Sequence, residues 1–477
     1  MKPVLLLAET GFVIRNLLLG TFAEAMMRRR PLAVAVPDPR HPDLEAMVDS
    51  KPLQLLEFLR DADSRPLSRL AQLGTWQTYM YWFKQAQKGT GASRIQNRLY
   101  GSRHSAAGGA AIGALQAAGR LLERTGAMGL VESRYLEAMA RRPIARRWME
   151  TLERLDPAVV VSTTLTLATK NRPSRDLAAV LAARLLGIPC GTLVLSWDNL
   201  ASKASVIPPW LDRYWTWSQA MSEELTGLYP EIPPERVTVV GSPQFDFHRR
   251  PELVEPRERY CARLGLDPGR PILLIGTGTA ARLPDEPATV LDLTRILRRK
   301  LAPAQVLVRL HPKDDGTRWN GARAELEALG AAVQQTAPPT PMDQGGFVPP
   351  ADFYREQVSA LYHAAAVINI SSTLTVDAAI LDRPVICLAY DLTPDRRFPE
   401  GRARLYAYSS HYARLVATGG VAVAESAEEC VQAAQACLAN PALRREGRER
   451  IVEMVAGPAD GGVGERLAAE AAALAER

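Results

Sequence analysis

The sequence predicts an α/β protein with two Rossmann-like domains, each a doubly wound parallel sheet, which face each other across a cleft. Short apolar segments alternate with longer segments of helical periodicity, the pattern of strand–helix–strand units in parallel sheets. The alternation occurs twice, and the charged connector GSPQFDFHRRPELVEP (241–256) separates the two occurrences. A chain of 477 residues also exceeds what one ordinary core holds.

The first domain is predicted to span residues 1–244. Its apolar segments predict strands, and its segments of 3.6-residue periodicity predict helices. The predicted strands are 3–8, 31–36, 158–162, 190–195 and 237–240, and the predicted helices are 16–29, 173–186 and 219–228.

The second domain is predicted to span residues 245–455 and to repeat the same alternation. A final helix within 456–477 is expected to pack back on the first domain. The predicted strands are 271–276, 304–310, 366–370 and 384–388, and the predicted helices are 287–300, 320–329, 354–364, 375–381 and 426–438.

Residues from about 40 to 150 form a mostly helical, basic insertion in the first domain. Residues 84–147 hold 12 bases and 3 acids in a chain whose net charge is +6. Such a surface attracts an anionic membrane, a phosphate-bearing acceptor or nucleic acid, and it can equally be a solvated arginine-rich face. The aromatic residues of WQTYMYWFKQ (76–85) are either an interfacial anchor or core. They form one cluster and do not alternate with arginine, which argues against nucleic acid.

Cysteine content and hydropathy bear on the compartment. The five cysteines show no metal-ligand spacing and are typical of a reducing compartment. No segment reaches the roughly 18 uncharged residues of a membrane span. The opening MKPVLLLAETGF is interpreted as a first strand, not a signal peptide. We therefore predict a cytoplasmic protein whose basic region is available to the inner face of the plasma membrane.

Polar residues that directly follow strands are the first candidates for a site, because ligands of parallel sheets bind beyond the carboxyl ends of the strands. In IGTGTAARLPDE (275–286), Gly276 and Gly278 allow close backbone approach to a ligand, and Thr277 and Thr279 add hydroxyl groups. The segment lacks the Gly-Lys-Ser/Thr of a P-loop and the full dinucleotide motif. It predicts either a phosphate-binding loop or a plain turn.

The next segment, VLVRLHPKDD (306–315), ends a strand in Arg309, His311 and Lys313. Three potential cations at a strand end suit a diphosphate, where each charge-assisted hydrogen bond is strong. His311 is also a candidate catalytic residue, because it could donate a hydrogen bond to such a group. The alternative is a structural histidine.

The third segment, VINISSTLTVDAAILDRPVICLAYD (367–391), places Ser371, Ser372 and Thr373 between a strand and a helix that carries Asp377. Hydroxyl groups at a helix start cap it, and the exposed N–H groups there bind phosphate. Asp377 could accept hydrogen bonds from ribose hydroxyls. Ordinary N-capping is the alternative.

These motifs resemble the carboxy-terminal domain of GT-B glycosyltransferases and their relatives. Residues 190–440 resemble the family well, and residues 1–30 do so more loosely. Bacterial surface-polysaccharide transferases, CDP-glycerol glycerophosphotransferases and UDP-N-acetylglucosamine 2-epimerases are the most similar groups. The matching segments are GSPQFD (241–246), RLHPKD (309–314), SSTLTVDAAILDRPVI (371–386) and SSHYARL (409–415).

The resemblance implies a nucleotide-sugar donor site. In such families the donor diphosphate lies at the Ser-Ser helix start, and an acid on that helix holds the ribose. This makes Ser371, Ser372 and Asp377 donor contacts and His311 a diphosphate contact. GT-B enzymes usually work without a metal ion, so we expect neither a metal nor a cofactor.

A candidate base follows a strand of the first domain in SWDNLASK (196–203). Asp198 could remove a proton from an acceptor hydroxyl, and Asn199 and Lys203 could position that hydroxyl or a phosphate. The alternative is a turn in which Asp and Asn make local hydrogen bonds and Trp197 packs.

A second candidate base lies in AETGFVIRN (8–16), after the first strand. Some GT-B families place their base on this loop, which makes Glu9 a rival of Asp198. Arg15 could hold an acceptor phosphate or carboxylate, or cap the helix.

We therefore predict a metal-independent GT-B glycosyltransferase. It would move a sugar from a nucleoside-diphosphate sugar to a glycan or lipid-linked acceptor in bacterial cell-surface polysaccharide synthesis. Asp61 and Asp63 form a DxD pair, but in a polar loop and not after a strand. The alternatives are a CDP-alditol phosphotransferase and a non-catalytic nucleotide-sugar-binding protein. A 2-epimerase is disfavoured, because the first strand lacks the Gly-Thr-Arg-Pro-Glu type of loop.

Overall fold

The structure is a computed structural model that describes most of the chain. The described residues are 1–49, 51–59, 114, 117–163, 165–166, 175–200, 205–280, 282–335, 340–342, 346–350, 352–392, 401–409 and 411–477. They divide into two compact units. Unit 1 is formed by Met1–Gln244, Pro341–Val348 and Gly462–Arg477, and unit 2 by Phe245–Thr340 and Pro349–Gly461.

Unit 1 is built on a sheet of seven strands in the order β3-β2-β1-β4-β5-β6-β7. Every neighbouring pair is parallel. The order reverses beside β1, as in doubly wound folds. The strands are β1 Val4–Leu7, β2 Leu32–Val36, β3 Leu53–Glu57, β4 Val159–Thr163, β5 Cys190–Leu193, β6 Arg213–Thr216 and β7 Val237–Val239.

The helices of unit 1 lie between these strands and at the end of the chain. The predicted helix 16–29 is divided, because Gly20 takes an extended conformation between a π-helix, Ile14–Leu18, and the next α-helix. The α-helices are α1 Gly11–Val13, α2 Thr21–Met27, α3 Pro42–Val48, α4 Met128–Ala140, α5 Pro143–Leu155, α6 Leu177–Leu185 and α7 Gln219–Leu228, with α17 Val463–Leu474 at the C-terminus.

Unit 2 is built on six parallel strands in the order β10-β9-β8-β13-β14-β15. The strands are β8 Ile272–Gly276, β9 Gln305–Arg309, β10 Ala332–Gln334, β13 Ala364–Asn369, β14 Val385–Leu388 and β15 Val421–Ala424. A separate two-stranded sheet, which belongs to unit 1 apart from Thr340, pairs β11 Thr340–Met342 with β12 Gly346–Val348.

The helices of unit 2 cover its sheet. Leu273, Val306 and Ile368 of the strands are fully buried and share one core with Leu293 and Ala434 of two helices. The α-helices are α8 Arg257–Leu264, α9 Glu286–Lys300, α10 Asn320–Ala328, α11 Phe353–His363, α12 Leu374–Ile380, α13 Arg402–Ser409, α14 Ala413–Ala417, α15 Ala427–Ala439 and α16 Arg445–Ile451.

The predicted fold class is confirmed: two α/β units carry parallel sheets. Six strands were missed, namely β3, β6, β10, β11, β12 and β15. β3 lies inside the region predicted to be mostly helical, because it is a half-buried edge strand without a continuous apolar run. β10 has only three residues, and β6 begins with arginine. Among the described residues, no helix combines the length and the apolar character needed to cross a membrane.

The C-terminal helix α17 packs against α2 within unit 1. Glu465 forms ion pairs with Arg28 and Arg29, and a Cβ at Gly464 would collide with the Thr21 backbone and lie 2.5 Å from the Phe22 nitrogen. Only glycine therefore allows the two helices to approach this closely.

We expect Gly464→Ala to destabilise unit 1 by about 1–3 kcal/mol, because backbone atoms cannot move aside cheaply. Gly129→Ala in α4 is the matched control, since a Cβ there has nothing within 4 Å. It should be neutral or stabilise by about 0.5–1 kcal/mol through helix propensity. The measurement is the midpoint of urea unfolding. Equal midpoints for the two variants would contradict this packing.

Candidate functional site

The three segments nominated in unit 2 meet at one edge of its sheet. β8 lies between β9 and β13, and Gly276, at its end, is register partner to both Arg309 and Asn369. The loops that follow these strands therefore emerge side by side at the carboxyl edge. This is where ligands of parallel sheets bind.

The Ser-Ser turn after β13 is held by Asn369, which sequence reasoning missed. The Asn369 amide oxygen accepts the Ser372 N–H at 3.0 Å, and its nitrogen donates to Thr375 Oγ1 at 3.0 Å. Ser371 has a left-handed backbone with φ of 47°, an uncommon conformation for a residue other than glycine. Such strained residues cluster at ligand sites. Thr373 occupies the N-cap position of α12, and its side chain makes no capping bond.

The first glycine of the 275–286 segment serves packing. A Cβ at Gly276 would collide with the Leu374 side chain at the start of α12. Thr277 accepts the His311 backbone N–H on Oγ1 at 2.9 Å, and the Thr279 carbonyl closes a turn by accepting the N–H of Leu283 at 3.0 Å. The hydroxyl of Thr277 therefore connects the glycine loop to the His-Pro loop.

His311 is held in one neutral tautomer. Its Nδ1 accepts the Lys313 backbone N–H at 3.0 Å, so the ring proton is on Nε2. Burial, together with the nearby Lys313 charge, lowers the pKa of His311 to about 4. At neutral pH the ring is therefore an uncharged Nε2–H donor, suited to a phosphate oxygen. Lys313 itself is exposed.

Arg309, which was predicted to contact the donor, lies inside the sheet. The side chain is 5% exposed and donates to the Gln334 amide oxygen of β10 at 2.7 Å. Burial lowers the pKa of Arg309, and the nearby Tyr260 and Glu356 oppose this effect.

The N–H of Gly278 is occupied by a carboxylate of the same unit. It donates to both oxygens of Glu286, at 2.8 and 2.9 Å. Arg318 donates to the same carboxylate at 2.9 Å and to the Gly278 carbonyl at 2.7 Å. Burial raises the pKa of Glu286 to about 7, although the Gly278 N–H and Arg318 act in the opposite direction.

Arg318 extends this network to the His-Pro loop. Its Nε donates to Asp314 Oδ2 at 2.6 Å, and the Trp319 indole donates to the same oxygen at 3.0 Å. Burial raises the pKa of Asp314, but these hydrogen bonds together outweigh it and hold the pKa below its usual value. The acid–arginine spacing of four residues in DDGTR was the available signal for this pair.

Asp377 is buried on α12 and contacts a histidine from the start of unit 2. The distance from its Oδ1 to His248 Nε2 is 2.7 Å, and the side chains are 9% and 2% exposed. The Asp377 carboxylate is therefore oriented by His248, which sequence reasoning did not nominate. The only signal was its place in GSPQFDFH (241–248), directly after a matching motif.

In unit 1, Glu9 follows β1 and lies beside Arg175 and Asp176 at the start of α6. Sequence reasoning missed these two residues. Arg175 Nε lies 3.5 Å from Glu9 Oε2. Asp176 is 4% exposed, and burial together with the charge of Glu9 raises its pKa well above the usual value. A buried acid, Asp176, therefore accompanies the half-buried candidate base Glu9.

The other candidate base, Asp198, is held in a turn after β5. The Ser196 hydroxyl donates to Asp198 Oδ1 at 2.5 Å, and Asp198 is 6% exposed. Asn199 donates its backbone N–H to the Ser196 carbonyl at 3.0 Å and accepts the Ser205 N–H at 2.8 Å. The turn interpretation thus applies to the backbone here, and Lys203 lies outside the described residues.

Arg15 lies in the π-helix Ile14–Leu18, a type of segment that is frequent at functional sites. Its Nε donates to Asn16 Oδ1 at 2.8 Å, and its guanidinium lies 5.3 Å from the Phe12 ring centroid. The Asn16 amide in turn donates to Gln244 at 3.2 Å. The side chain of Arg15 is therefore positioned by residues close to it in sequence.

The described residues contain no group of three or more potential metal ligands. Asp61 and Asp63, the DxD pair of the sequence, lie outside them.

Several solved structures share this architecture. A glycosyltransferase from Rickettsia africae has a TM-score of 0.53 and 10% identity, over 100% of this chain and 99% of its own. A UDP-GlcNAc 2-epimerase from Neisseria meningitidis, bound to UDP-GlcNAc, has a TM-score of 0.51 and 12% identity, over 98% and 99%. The MnaA protein of S. aureus, in a structure with UDP, has a TM-score of 0.51 and 12% identity, over 98% and 95%.

At such identities the similarity establishes the fold: the chain has the GT-B-like architecture that its motifs implied. No protein-family model and no curated protein sequence matches it.

Proposed function

We propose that the protein is a metal-independent glycosyltransferase that uses a nucleoside-diphosphate sugar. The observation that carries this proposal is the convergence of His311, the Ser-Ser turn and Asp377 at one sheet edge of unit 2. A neutral N–H donor, hydroxyl groups with a strained backbone, and an oriented carboxylate match the diphosphate and the ribose of such a donor. The acceptor we infer is a glycan or a lipid-linked sugar of the bacterial cell surface.

In this mechanism the donor diphosphate lies against Ser371, Ser372 and Thr373. The His311 Nε2–H donates to a phosphate oxygen, where it stabilises the charge that develops on the leaving group. Because the ring is neutral before the donor arrives, it needs no proton from solvent to act. Asp377 accepts from the ribose, and Lys313 adds positive charge at the rim.

We propose that a carboxylate takes the proton of the acceptor hydroxyl. Asp198 is our first candidate and Glu9 is our second. Arg15 and Asn199 are proposed to orient the acceptor, together with Lys203. Asp176 would keep a proton close to Glu9, because its burial favours the neutral carboxyl.

The basic region 84–147 is proposed to meet the anionic acceptor or the inner membrane surface. Residues 84–113, 115 and 116 lie outside the described residues. In the described part, Arg141, Arg146 and Arg147 are exposed around the start of α5. Clustered exposed charges of one sign attract anionic surfaces at long range.

Nucleotide binding is the first test of the donor site. A nucleotide at 100 times its Kd should stabilise the protein by about 2.7 kcal/mol. We expect a thermal shift with one or more of UDP, GDP, CDP, CMP and dTDP, and its loss in Ser372→Ala and His311→Ala. Glu327→Ala is the control, because Glu327 is exposed on α10. No shift with any nucleotide would remove the donor site.

An activity assay then distinguishes glycosyl transfer from phosphotransfer, epimerisation and binding without catalysis. Incubation with the matching nucleotide sugar and bacterial membrane lipids should release the nucleoside diphosphate only when acceptor is present. Release of CMP from a CDP-alditol would indicate phosphotransfer, and a new nucleotide-sugar epimer would indicate an epimerase. Binding without any product would indicate a non-catalytic protein. Loss of transfer with intact binding in Asp198→Asn or Glu9→Gln identifies the base.

A further inference from the structure

A histidine and a carboxylate, His248 and Asp377, form a buried pair in unit 2. His248 and Asp377 are 8% and 7% exposed as whole residues. They are 129 positions apart in sequence, and their atoms Nε2 and Oδ1 are 2.7 Å apart. Burying a carboxylate is unfavourable unless it is hydrogen-bonded. The hydrogen bond from His248 therefore offsets the unfavourable burial of the Asp377 carboxylate.

The residues on both sides of His248 are anchored by side-chain contacts, which hold the backbone at His248 in place. Phe247 stacks on Tyr354 of α11, with ring planes 13° apart. Arg249 donates to the Ala459 carbonyl at 2.9 Å. All of these contacts lie within unit 2. The His248 imidazole is thus presented to α12 by a fixed backbone.

The contact distinguishes the two oxygens of Asp377. Oδ1 accepts from His248 Nε2–H, so hydrogen bonding to a ligand falls to Oδ2. The other ring nitrogen, His248 Nδ1, is buried and has no hydrogen-bond partner among the described residues. The histidine therefore makes its polar contact through Nε2, and that contact orients the carboxylate.

We propose that His248 is a positioning residue that sets the Asp377 carboxylate to accept from a ribose hydroxyl, which makes the site selective for ribonucleoside diphosphates. This inference rests on the proposed function, because it takes Asp377 as the ribose contact. An acceptor held in one direction cannot turn to another partner when the hydroxyl is missing. A site built to hydrogen-bond a substrate hydroxyl rejects the analogue that lacks it.

A ribose-selective site accepts only some classes of sugar donor. UDP-, CDP-, GDP- and ADP-linked sugars carry both ribose hydroxyls, whereas dTDP-linked sugars lack the 2′-hydroxyl. A hydrogen bond to a charged group is stronger than one between neutral groups. We therefore expect the protein to bind its preferred ribonucleotide at least tenfold more tightly than the 2′-deoxy or the 3′-deoxy form.

The test is calorimetric titration of UDP, CDP and GDP, each with its 2′-deoxy and 3′-deoxy form, into the full-length protein. His248→Leu removes the N–H donor and leaves a side chain of similar volume. The ratio of the Kd of a deoxynucleotide to the Kd of its ribonucleotide should then fall to within about twofold of one. His248→Gln retains an N–H donor and should restore part of the ratio. Asp377→Ala gives the reference for complete loss.

His363→Leu is the matched control. His363 is also buried in unit 2, and its Nε2 lies 2.7 Å from the Glu255 carbonyl oxygen at the other end of the sheet. Its loss should lower stability but leave the Kd ratio unchanged. An unchanged ratio in His248→Leu, or a wild-type preference for deoxynucleotides, would overturn the role of His248 while the donor site stands. Failure of the wild type to bind any nucleotide would instead remove the donor site and this inference together.

Discussion

Arg318→Ala is expected to destabilise unit 2 by about 3–5 kcal/mol, because it leaves two buried carboxylates without their common partner. The side chain of Arg318 is 14% exposed, and those of Glu286 and Asp314 are each 2% exposed. The guanidinium also donates to the carbonyls of Leu283 and Gly278. Urea unfolding should show the loss, and nucleotide binding should weaken because the His-Pro and glycine loops separate.

Arg295→Ala is the matched control for this prediction. Arg295 also pairs with a glutamate in unit 2, but the side chains of Arg295 and Glu325 are 49% and 55% exposed. Surface pairs contribute only about 0–1 kcal/mol. The double variant Arg318→Ala/Glu286→Gln should recover part of the loss, since it removes one unpaired buried charge. If Arg318→Ala costs no more than Arg295→Ala, the network does not hold the two loops.

The elements that position the site could be predicted, because their signal is local. β8, β9 and β13 are short runs of buried residues, and the polar residues after them were nominated from a rule about parallel sheets alone. The same reasoning missed β3, an edge strand that is only half buried and therefore lacks a continuous apolar run. Exposure at a sheet edge removes the pattern on which the prediction depends.

The partners inside the site could not be predicted, because they depend on long-range packing. The N–H of Gly278 donates to Glu286, and the guanidinium of Arg309 donates to Gln334. One carboxylate oxygen of Asp377 accepts a hydrogen bond from His248. The paired residues lie 8, 25 and 129 positions apart. No periodicity relates such positions. Whether a polar residue after a strand faces a ligand or a neighbour is decided only when the sheet order is known.

Among the carboxyl groups of unit 1, too, some were predicted from a local signal and one was not. Glu9 and Asp198 were found because each follows a strand. Asp176 lay inside the predicted helix 173–186 and had no local feature to distinguish it from a surface acid. Its burial arises because the α6 start packs beside β4, so Asp176 becomes notable only in the folded chain.

Because of Glu286, we expect the free energy of unfolding to decrease as pH rises. Its pKa is about 7 in the folded protein against an ordinary value of 4.5, so between these values the folded state holds a proton that the unfolded state has lost. The stability associated with this carboxyl is complete below about pH 4.5 and is lost as pH rises through 7. At about 1.4 kcal/mol per unit, the change amounts to about 3 kcal/mol.

Glu286→Gln removes this titration and leaves every other group in place. We expect the free energy of unfolding of the wild type, relative to the variant, to decrease by about 3 kcal/mol between pH 4.5 and 8 and to level off above pH 7.5. Urea unfolding of both proteins across this range measures the difference. A constant loss of packing in the variant shifts the whole curve but not its slope. A flat difference, or one that rises with pH, would mean that Arg318 and the Gly278 N–H keep Glu286 ionised throughout.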